Sequence, residues 1–338
     1  MKHSLITVLI DTFNYGHFIE QAIDSVLSQD FPIDQVQILV IDDGSTDDTT
    51  ERVKKYGARI EYLYKPNGGQ ASAFNFGFSH AQGEIVALLD ADDYWLPAKL
   101  RRIADEFEKH PETGMIYHRL LEFNEGTGET KESLFVPLAG YLPDKPSDFI
   151  QYFPYPTSCV AFRSKSLQQV IPVPEKLRVQ ADGYLGATMV FVAPVLGIPE
   201  CLGTYRIHGR NLYHNAEATM TPRRRQERVD ARQGIIEGAQ AWLTSHGYDM
   251  DRIEIRTFLN RWQLYQENDK FLIQAPGRLR FFRHLTNYIR CYGPHMPARL
   301  RIINHINALG AFVVGYKHFH LLDKWRTQWV DRLRIRRK

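Results

Sequence analysis

Three aspartates stand within four residues directly after a run of apolar residues, and they are the side chains of this sequence best suited to chemistry. The apolar run is 85–89, and Asp90, Asp92 and Asp93 follow it. Carboxylates this close repel one another and gain nothing from burial in a core. A hard divalent cation such as Mg²⁺ or Mn²⁺ offsets the repulsion, because it takes oxygen ligands and keeps positions open for water and phosphate. The pattern predicts a metal and diphosphate site at the end of a β-strand.

A helix cap is the alternative interpretation, since aspartate is common in turns and at helix N-termini. A helix is predicted from Pro97 to about His110. The cluster by itself therefore leaves both interpretations open.

A second acidic pair, Asp42-Asp43, also follows an apolar run. Gly44 comes next and allows a tight turn after the strand. Carboxylates are acceptors only, so the pair suits the N–H groups of a nucleotide base or the hydroxyls of a ribose. A turn followed by a helix cap is again the alternative.

Strand and helix patterns alternate over the first 110 residues and would place these acidic groups together. The predicted strands are 5–10, 36–41, 60–64 and 84–89, and the predicted helices are 17–29, 49–56, 70–82 and 97–110. Such alternation predicts a parallel sheet with helices on both faces, which binds ligands beyond the carboxyl ends of its strands. Because Asp11, Asp42-Asp43 and the 90–93 cluster all follow predicted strands, we expect them to converge in space.

The pattern becomes less regular after residue 110 and turns helical near residue 216. The later predicted elements are strands at 115–123, 158–162 and 204–208, a loop over 124–146 and a short helix at 182–192. From about residue 221, long helical segments rich in Arg and Glu follow. We therefore expect a catalytic domain at 1–215, divided into a nucleotide-binding half at 1–110 and an acceptor half at 111–215, and a helical C-terminal region at 216–338.

The composition is that of an ordinary globular protein, with 43% hydrophobic and 24% charged residues. The three cysteines are far apart and form no CxxC pair, which argues against a disulfide framework or a zinc site and favours a reducing compartment. No run of about 20 apolar residues exists, so we expect no transmembrane helix, and the first apolar run is too short for a signal peptide. The expected location is the cytoplasm.

Positive charge is concentrated at the C-terminus. Residues 317–338 hold eight Lys or Arg and two Asp, a net charge of +6 in a chain whose total is +3. Trp325 and Trp329 lie among them, and a basic helix with Trp can rest on the anionic inner face of a membrane. A packed helical subdomain or a dimer interface with a solvated basic face is the alternative. No nucleic-acid-binding module accompanies the charge, so we expect no nucleic-acid partner.

Five ordered segments of the sequence resemble the nucleotide-binding half of family 2 glycosyltransferases. These segments are 7–14, 42–47, 67–70, Asn75 with Gly77, and 89–97. The likeness is strong over about residues 4–110 and looser to about 215. It implies the GT-A fold, a Rossmann-like and mostly parallel α/β sheet flanked by helices. It also implies a nucleotide-diphospho-sugar donor, a divalent cation (Mn²⁺ or Mg²⁺), and single displacement with inversion at the anomeric carbon.

The resemblance also implies roles for individual residues in binding the donor. Asp90 and Asp92 match the DxD motif, and Asp92 is the better candidate for direct metal coordination. Asp42 and Asp43 match the acidic pair that contacts the base and the ribose. The other residues placed at the donor by the resemblance are Asp11, Thr12, Phe13 and Asn14 around the base, with Asn67, Gly69, Asn75 and Ala91.

Two later segments extend the likeness into the acceptor half. Asp182 lies where the family carries a Glu-Asp pair, which implies that it is the general base, although a helix cap is the alternative. The segment 205–211 resembles the family's Tyr-Arg-x-His segment. It implies that His208 is a metal or diphosphate ligand and that Arg206 or Arg210 contacts phosphate; the alternative is a solvated polar loop.

Three positions depart from the family pattern, and they bear on the alternatives. Asp11 replaces a usual Pro, Phe74 a common Arg, and Ala181 the usual Glu before the base. Phe74 and Ala181 would suit a degenerate nucleotide-sugar-binding module, whereas the intact Asp90 and Asp92 argue for an enzyme.

Two other enzyme classes require a particular loop after the first strand. A sugar-phosphate nucleotidyltransferase needs a basic Gly-rich loop there, and a dinucleotide-dependent oxidoreductase needs GxGxxG; residues 11–16 provide neither. The sequence favours a metal-dependent, inverting glycosyltransferase that acts on a sugar or lipid-linked acceptor in cell-surface polysaccharide or glycolipid synthesis.

Overall fold

The computed structural model describes residues 5–133, 140–141, 156–209, 211, 221–292 and 313. The chain divides into two units, one of Met1–Thr219 with Gln233–Met250 and one of Met220–Arg232 with Asp251–Lys338. Arg210 and the basic segment 317–338 lie outside the described residues. The domain boundary near residue 216 stays a prediction.

The first unit is built on a nine-stranded mixed sheet with the strand order β3-β2-β1-β4-β8-β6-β9-β5, in which β7 pairs with β6. The strands are β1 (Ile6–Thr12), β2 (Val36–Asp42), β3 (Glu61–Tyr64), β4 (Ile85–Asp90), β5 (Tyr94–Trp95), β6 (Met115–Asn124), β7 (Thr130–Glu132), β8 (Val160–Arg163) and β9 (Val195–Ile207). Strands β1 to β4 are parallel to one another, as the alternation predicted. Strand β8 joins β4 to β6 in antiparallel pairing. The predicted α/β fold is confirmed.

Helices cover the sheet and are the elements of the C-terminal region among its described residues. They are α1 (Gly16–Leu27), α2 (Thr49–Lys54), α3 (Gln70–His80), α4 (Lys99–Lys109), α5 (Ser164–Leu167), α6 (Ala181–Met189), α7 (Pro222–Ser245), α8 (Ile253–Ile273) and α9 (Arg278–Tyr292). Helix α1 buries Ile19, Ile23 and Val26 in the main core, as its apolar spacing predicted. No helix in the described part of the chain is both long and apolar enough to cross a membrane.

Two elements differ from the sequence prediction. The strand predicted at 204–208 is longer and begins at Val195. Its apolar pattern is hidden by Gly197, Pro199 and Glu200, where the pairing with β6 shifts register as at a β-bulge. The predicted loop over 124–146 begins instead as a hairpin, because Thr130–Glu132 pairs with the end of β6.

The second unit is helical in its described residues, as expected for the C-terminal region. Asp269 on α8 accepts hydrogen bonds from Arg228 and Arg232 of α7. Phe271 and Phe281 pack together at a ring-centroid distance of 6.1 Å and join α8 to α9. These contacts pair each of the three helices with a neighbour in sequence.

The parallel register places the acidic residues at one edge of the sheet. Asp11 of β1 lies opposite Asp90 of β4, and Thr12 lies opposite Asp42 of β2. Helix α3 packs against this part of the sheet through Gly77. A Cβ on Gly77 would lie 2.9 Å from Leu9 Cγ, closer than real Cβ atoms come. The glycine therefore sets how closely α3 approaches the strands that end in the acidic groups.

We predict that Gly77→Ala lowers the free energy of unfolding by about 1–3 kcal/mol, because the added methyl overpacks the helix–sheet contact. The gain in helix propensity is at most about 1 kcal/mol and does not offset this. The control is Gly126→Ala, where the nearest atom would be 3.4 Å away and the change should stay within about 0.5 kcal/mol. Denaturant midpoints measure both variants, and equal midpoints would contradict the close contact.

Candidate active site

Four aspartates from two parts of the chain meet at the carboxyl edge of the sheet. Asp90, Asp92 and Asp93 each place a carboxylate oxygen within 4.8 Å of the others, and Asp11 faces Asp90 across the strand pair. One Asp11 oxygen is buried without a hydrogen-bond partner among the described residues. The part of the expected convergence that joins Asp11 to the 90–93 cluster is therefore present in the structure, and Asp42 ends the neighbouring strand opposite Thr12.

Burial and mutual repulsion act strongly on these carboxyl groups. Burial raises the pKa of Asp11 to about 7. Burial and the charges of Asp11 and Asp92 raise the pKa of Asp90 well above its usual range. A cluster with such pKa values favours either bound protons or a bound cation over free carboxylates. Its oxygen donors are the kind that hard divalent cations take, so the residues present fit such a cation.

Asp93 is the most deeply buried member of the cluster and is bonded to other groups of the protein. Its side chain is 1% exposed. Ser158 Oγ donates to Asp93 Oδ2 at 2.6 Å, and the Arg206 N–H donates to Asp93 Oδ1 at 2.8 Å. Both carboxylate oxygens of Asp93 thus accept hydrogen bonds from the protein. This assigns Asp93 to organising the loop and favours Asp90 and Asp92 as cation ligands.

His208 contacts the middle aspartate of the cluster. Its Nε2 lies 2.9 Å from Asp92 Oδ2, and its ring packs against Phe18 at a centroid distance of 4.8 Å. Asn211 fixes the turn that carries it, because its Oδ1 accepts from the His208 N–H at 2.5 Å and its Nδ2 donates to the Arg206 carbonyl at 2.8 Å. Of the three residues predicted as metal ligands, the structure thus places His208 against Asp92, and Asp92 lies beside Asp90 in the acidic cluster.

Arg206 is a buried clamp on the acidic loop and not the solvated cation of the alternative interpretation. Its Nε donates to the Asp92 carbonyl at 2.8 Å, and its Nη2 donates to Gln21 Oε1. The guanidinium lies 4.7 Å from the Phe18 ring centroid and 5.4 Å from that of Tyr94. With 5% of its surface exposed, Arg206 holds the loop in place, and its contact with phosphate stays a prediction.

Asp182 projects from the first turn of α6, near the acidic cluster. Its Oδ1 accepts from the Gly183 N–H at 2.8 Å. Burial raises the pKa of Asp182 to about 6, and its negative charge contributes to the raised pKa of Asp11 and Asp90. A carboxyl group with a pKa close to neutral pH is suited to taking a proton from a substrate hydroxyl.

The acidic pair Asp42-Asp43 is bonded within the protein. Asp42 accepts from the Ser45 N–H and from Tyr62 Oη, both at 2.7 Å. Asp43 accepts from Lys65 Nζ and from the Gly69 N–H, also at 2.7 Å. These bonds shape the two loops beside the sheet edge, as the turn interpretation implied, and contact of the pair with base and ribose stays a prediction.

The loop after β1 is tied to the loop after β2. Asn14 has a positive φ of 58°. Its N–H donates to Ser45 Oγ at 2.8 Å, and its Oδ1 accepts from the Thr46 N–H at 2.7 Å. Thr12 is buried, whereas the Phe13 ring is 45% exposed. The loop thus presents an aromatic surface at the edge of the sheet, a surface on which a nucleotide base can stack.

The other predicted donor residues support the backbone in the structure. Asn75 bonds through its amide to both the N–H and the carbonyl of Val173, each at 2.8 Å. The buried Ala91 donates its N–H to the Asp11 carbonyl at 3.2 Å. Asn67 Nδ2 donates to Asp43 Oδ2 at 3.0 Å, and Gly69 donates its N–H to the same carboxylate. The geometry gives these residues positioning contacts, and their contact with a donor stays a prediction.

Ser158 and Lys99 are site residues that the sequence patterns did not reveal. Ser158 accepts from the Asp90 N–H at 3.1 Å while it donates to Asp93. Its carbonyl accepts from Lys99 Nζ at 2.7 Å and from Trp95 Nε1 at 3.0 Å. Lys99 is fully buried, and burial lowers its pKa well below the usual range. The residue types carry no motif, and only the fold reveals this network behind the aspartates.

Comparisons with known proteins agree on one family. A family profile described as Glycosyl transferase family 2 matches residues 7–171. The uncharacterized glycosyltransferase alr2836 of Nostoc sp. is 36% identical over 221 residues, which cover 62% of this chain and 67% of that protein. The chain spans between 36% and 67% of the first curated relatives that it matches.

Solved structures show the same fold at low sequence identity. S. aureus TarS 1-349 in complex with UDP has a TM-score of 0.62 and 19% identity, covering 96% of this chain and 91% of that chain. The mannosyltransferase PcManGT from Pyrobaculum calidifontis, in complex with GDP-Man and Mn²⁺, has a TM-score of 0.54 and 18% identity, covering 95% and 84%. At these identities the likeness shows the GT-A-like fold alone.

We predict that Ser158→Ala lowers the free energy of unfolding by about 1–3 kcal/mol, because it leaves the buried Asp93 carboxyl and the Asp90 N–H without their shared partner. The control is Ser79→Ala on the exposed side of α3, where Oγ bonds locally to the Phe76 carbonyl, with a change within about 0.5 kcal/mol. Chemical unfolding measures both. A Ser158→Ala variant as stable as the control would show that the acidic loop keeps its structure without this hydroxyl.

Proposed function

This chain belongs to glycosyltransferase family 2, and from that premise we propose that it moves a sugar from a nucleotide-diphospho-sugar to a hydroxyl acceptor with the help of a divalent cation. The observation that carries the proposal is the cluster of Asp90, Asp92 and Asp93 beyond the end of β4, with His208 in contact with Asp92 and Asp182 nearby. Family membership favours glycosyl transfer over the nucleotidyltransferase alternative.

Asp90 and Asp92 would hold the cation, with His208 as a third ligand or a contact to the diphosphate. When bound, the cation would act as a Lewis acid that stabilises negative charge on the departing nucleotide diphosphate. The raised pKa values of Asp11 and Asp90 support this role, since a nearby positive charge would relieve their repulsion. The fold neighbour that binds GDP-Man together with Mn²⁺ supports it as well.

Asp182 would act as the general base of an inverting displacement. Its carboxylate takes the proton from the acceptor hydroxyl as the acceptor oxygen bonds to the anomeric carbon. The bond from that carbon to the diphosphate oxygen breaks, and the electron pair leaves with the nucleotide. Attack on the face opposite the leaving group inverts the configuration of the sugar.

The ligands of the proteins with a similar fold suggest the chemical class of the donor. TarS structures hold UDP or UDP-GlcNAc, and PcManGT holds GDP-Man, so a nucleotide-diphospho-sugar is the donor that we propose. A sugar or lipid-linked acceptor, a role in cell-surface polysaccharide or glycolipid synthesis, and a cytoplasmic location with peripheral membrane contact through 317–338 remain predictions.

We predict that Asp92→Ala raises the donor Kd in the presence of Mn²⁺ by at least about tenfold. Replacing even a residue that only supports a metal ligand typically weakens metal binding by about that factor. Calorimetry with the donor that binds the wild type gives the Kd. Asp34→Ala, an exposed aspartate, is the matched control and should bind like the wild type. Normal Mn²⁺-dependent binding by Asp92→Ala would remove the proposed metal site.

We predict that Asp182→Asn binds donor within about twofold of the wild type but transfers sugar about 10²- to 10⁴-fold more slowly, since amides do not accept the proton. The wild-type rate should fall as the pH drops through about 6, because burial raises the pKa of Asp182 to about 6 and the protonated form is inactive. Asp34→Asn is the control. A fully active Asp182→Asn variant would mean that another group is the base.

A further inference from the structure

The loop after β3, which leads into α3, and the segment before α6 are joined by several contacts. The Gln70 N–H donates to the Arg178 carbonyl at 2.9 Å, and the Ala71 N–H donates to the Leu177 carbonyl at 3.1 Å. Gly69 has a φ of +88°, and a Cβ there would lie 2.5 Å from Arg178 Cα. The two backbones therefore meet so closely that only glycine fits at the junction.

The side chain of Gln70 continues this junction toward the acidic cluster. Its Oε1 accepts from the Ala181 N–H at 3.0 Å. Its Nε2 lies 3.5 Å from Asp90 Oδ1 and 3.4 Å from Thr157 Oγ1. The amide oxygen of Gln70 thus accepts a hydrogen bond from the helix that carries Asp182, and the amide nitrogen faces the carboxylate of Asp90. A side-chain amide has both an acceptor oxygen and a donor nitrogen for these two contacts.

The Ala181 N–H is a sensitive point for the placement of Asp182. The first N–H groups of a helix have no intrahelical partner, and Ala181 is the first residue of α6, directly before Asp182. Gln180, one residue earlier, has a left-handed φ of 61°. A residue other than glycine adopts this backbone conformation only where surrounding contacts hold it. The bond from Gln70 Oε1 is a side-chain contact that fixes this corner.

We propose that Gln70 is a positioning residue that holds Asp182 in register with Asp90, and so governs the rate of sugar transfer without governing donor affinity. The inference rests on the proposed function, in which Asp182 is the base. Gln70 itself needs no contact with the acceptor or the reacting carbon. It acts through Ala181, one residue from the base, and through Asp90, on the donor side.

The test uses two substitutions that separate the contacts of the amide. Gln70→Met keeps the length of the side chain and loses its polar atoms. Gln70→Glu keeps an acceptor for the Ala181 N–H and loses the donor that faces Asp90. Gln168→Met, an exposed position after α5, is the matched control for replacing glutamine by methionine.

Two measurements are made on the full chain. The first is nucleotide release with water as acceptor and Mn²⁺ present, from whichever UDP-, GDP- or dTDP-sugar binds the wild type, analysed as kcat and KM. The second is hydrogen–deuterium exchange across residues 177–186, which reports opening at the Ala181 N–H without any substrate.

We expect Gln70→Met to lower kcat by about 10- to 100-fold, the cost of misplacing a catalytic group by about 1 Å, with the donor KM within about twofold of the wild type. Exchange at Ala181 should become faster. Gln70→Glu should keep the protection of Ala181 close to that of the wild type, because it retains an acceptor for that N–H. Its kcat should still fall below the wild type, because the second carboxylate oxygen would face Asp90 where Gln70 Nε2 lies at 3.5 Å. Gln168→Met should match the wild type in both measurements.

Two results would overturn the inference alone. These are a wild-type kcat in Gln70→Met, or a rise in KM that accounts for the whole loss of kcat/KM, as a general loosening of the donor site would produce. Failure of the wild type to release nucleotide from every donor would overturn the proposed function, and this inference with it.

Discussion

Electrostatic repulsion among buried carboxyl groups is the constraint on which the rest of this site depends. Parallel pairing of β1 and β4 forces Asp11 and Asp90 to face each other, and Asp92 and Asp93 follow within the next turn. The protein answers part of this charge with hydrogen bonds, from Ser158 and Arg206 to Asp93. Burial first, and then the neighbouring carboxylate charges, still raise the pKa values of Asp11, Asp90 and Asp93. A bound cation would favour the charged forms of these groups.

The surrounding network makes sense as support for that arrangement. Lys99 lies fully buried behind the loop, bonded to the Ser158 carbonyl and placed 3.5 Å from the Trp95 ring centroid. A buried ammonium group needs strong compensation. Lys99 has a carbonyl, an aromatic face and Asp93 close by, but burial outweighs them and holds its pKa well below the usual range. Arg206 clamps the loop from the other side. Ser158, Lys99 and Arg206 thus hold the acidic loop through buried contacts.

Sequence patterns predicted the parts of this site that depend on local rules. Apolar runs marked the strands, and the rule that ligands bind beyond strand ends was enough to predict that Asp11 and Asp90 converge. Tertiary contacts decided the rest. Arg206 was expected to contact phosphate, with a solvated arginine as the alternative, and it is buried. Asn75 was expected to contact the donor, and its amide bonds to Val173. Ser158 carries no signal, and Gln70 only ends one of the segments that resemble the family. The contacts of both side chains come from residues far away in the chain.

Calorimetric titration of the wild-type protein with UDP-, GDP- and dTDP-sugars, each with and without Mn²⁺, tests the central claim most directly. If Asp90 and Asp92 hold a cation that completes the donor site, one class of donor binds tightly with Mn²⁺ and weakly or not at all without it. Equal binding with and without Mn²⁺, or no binding of any donor by the folded protein, would contradict the claim.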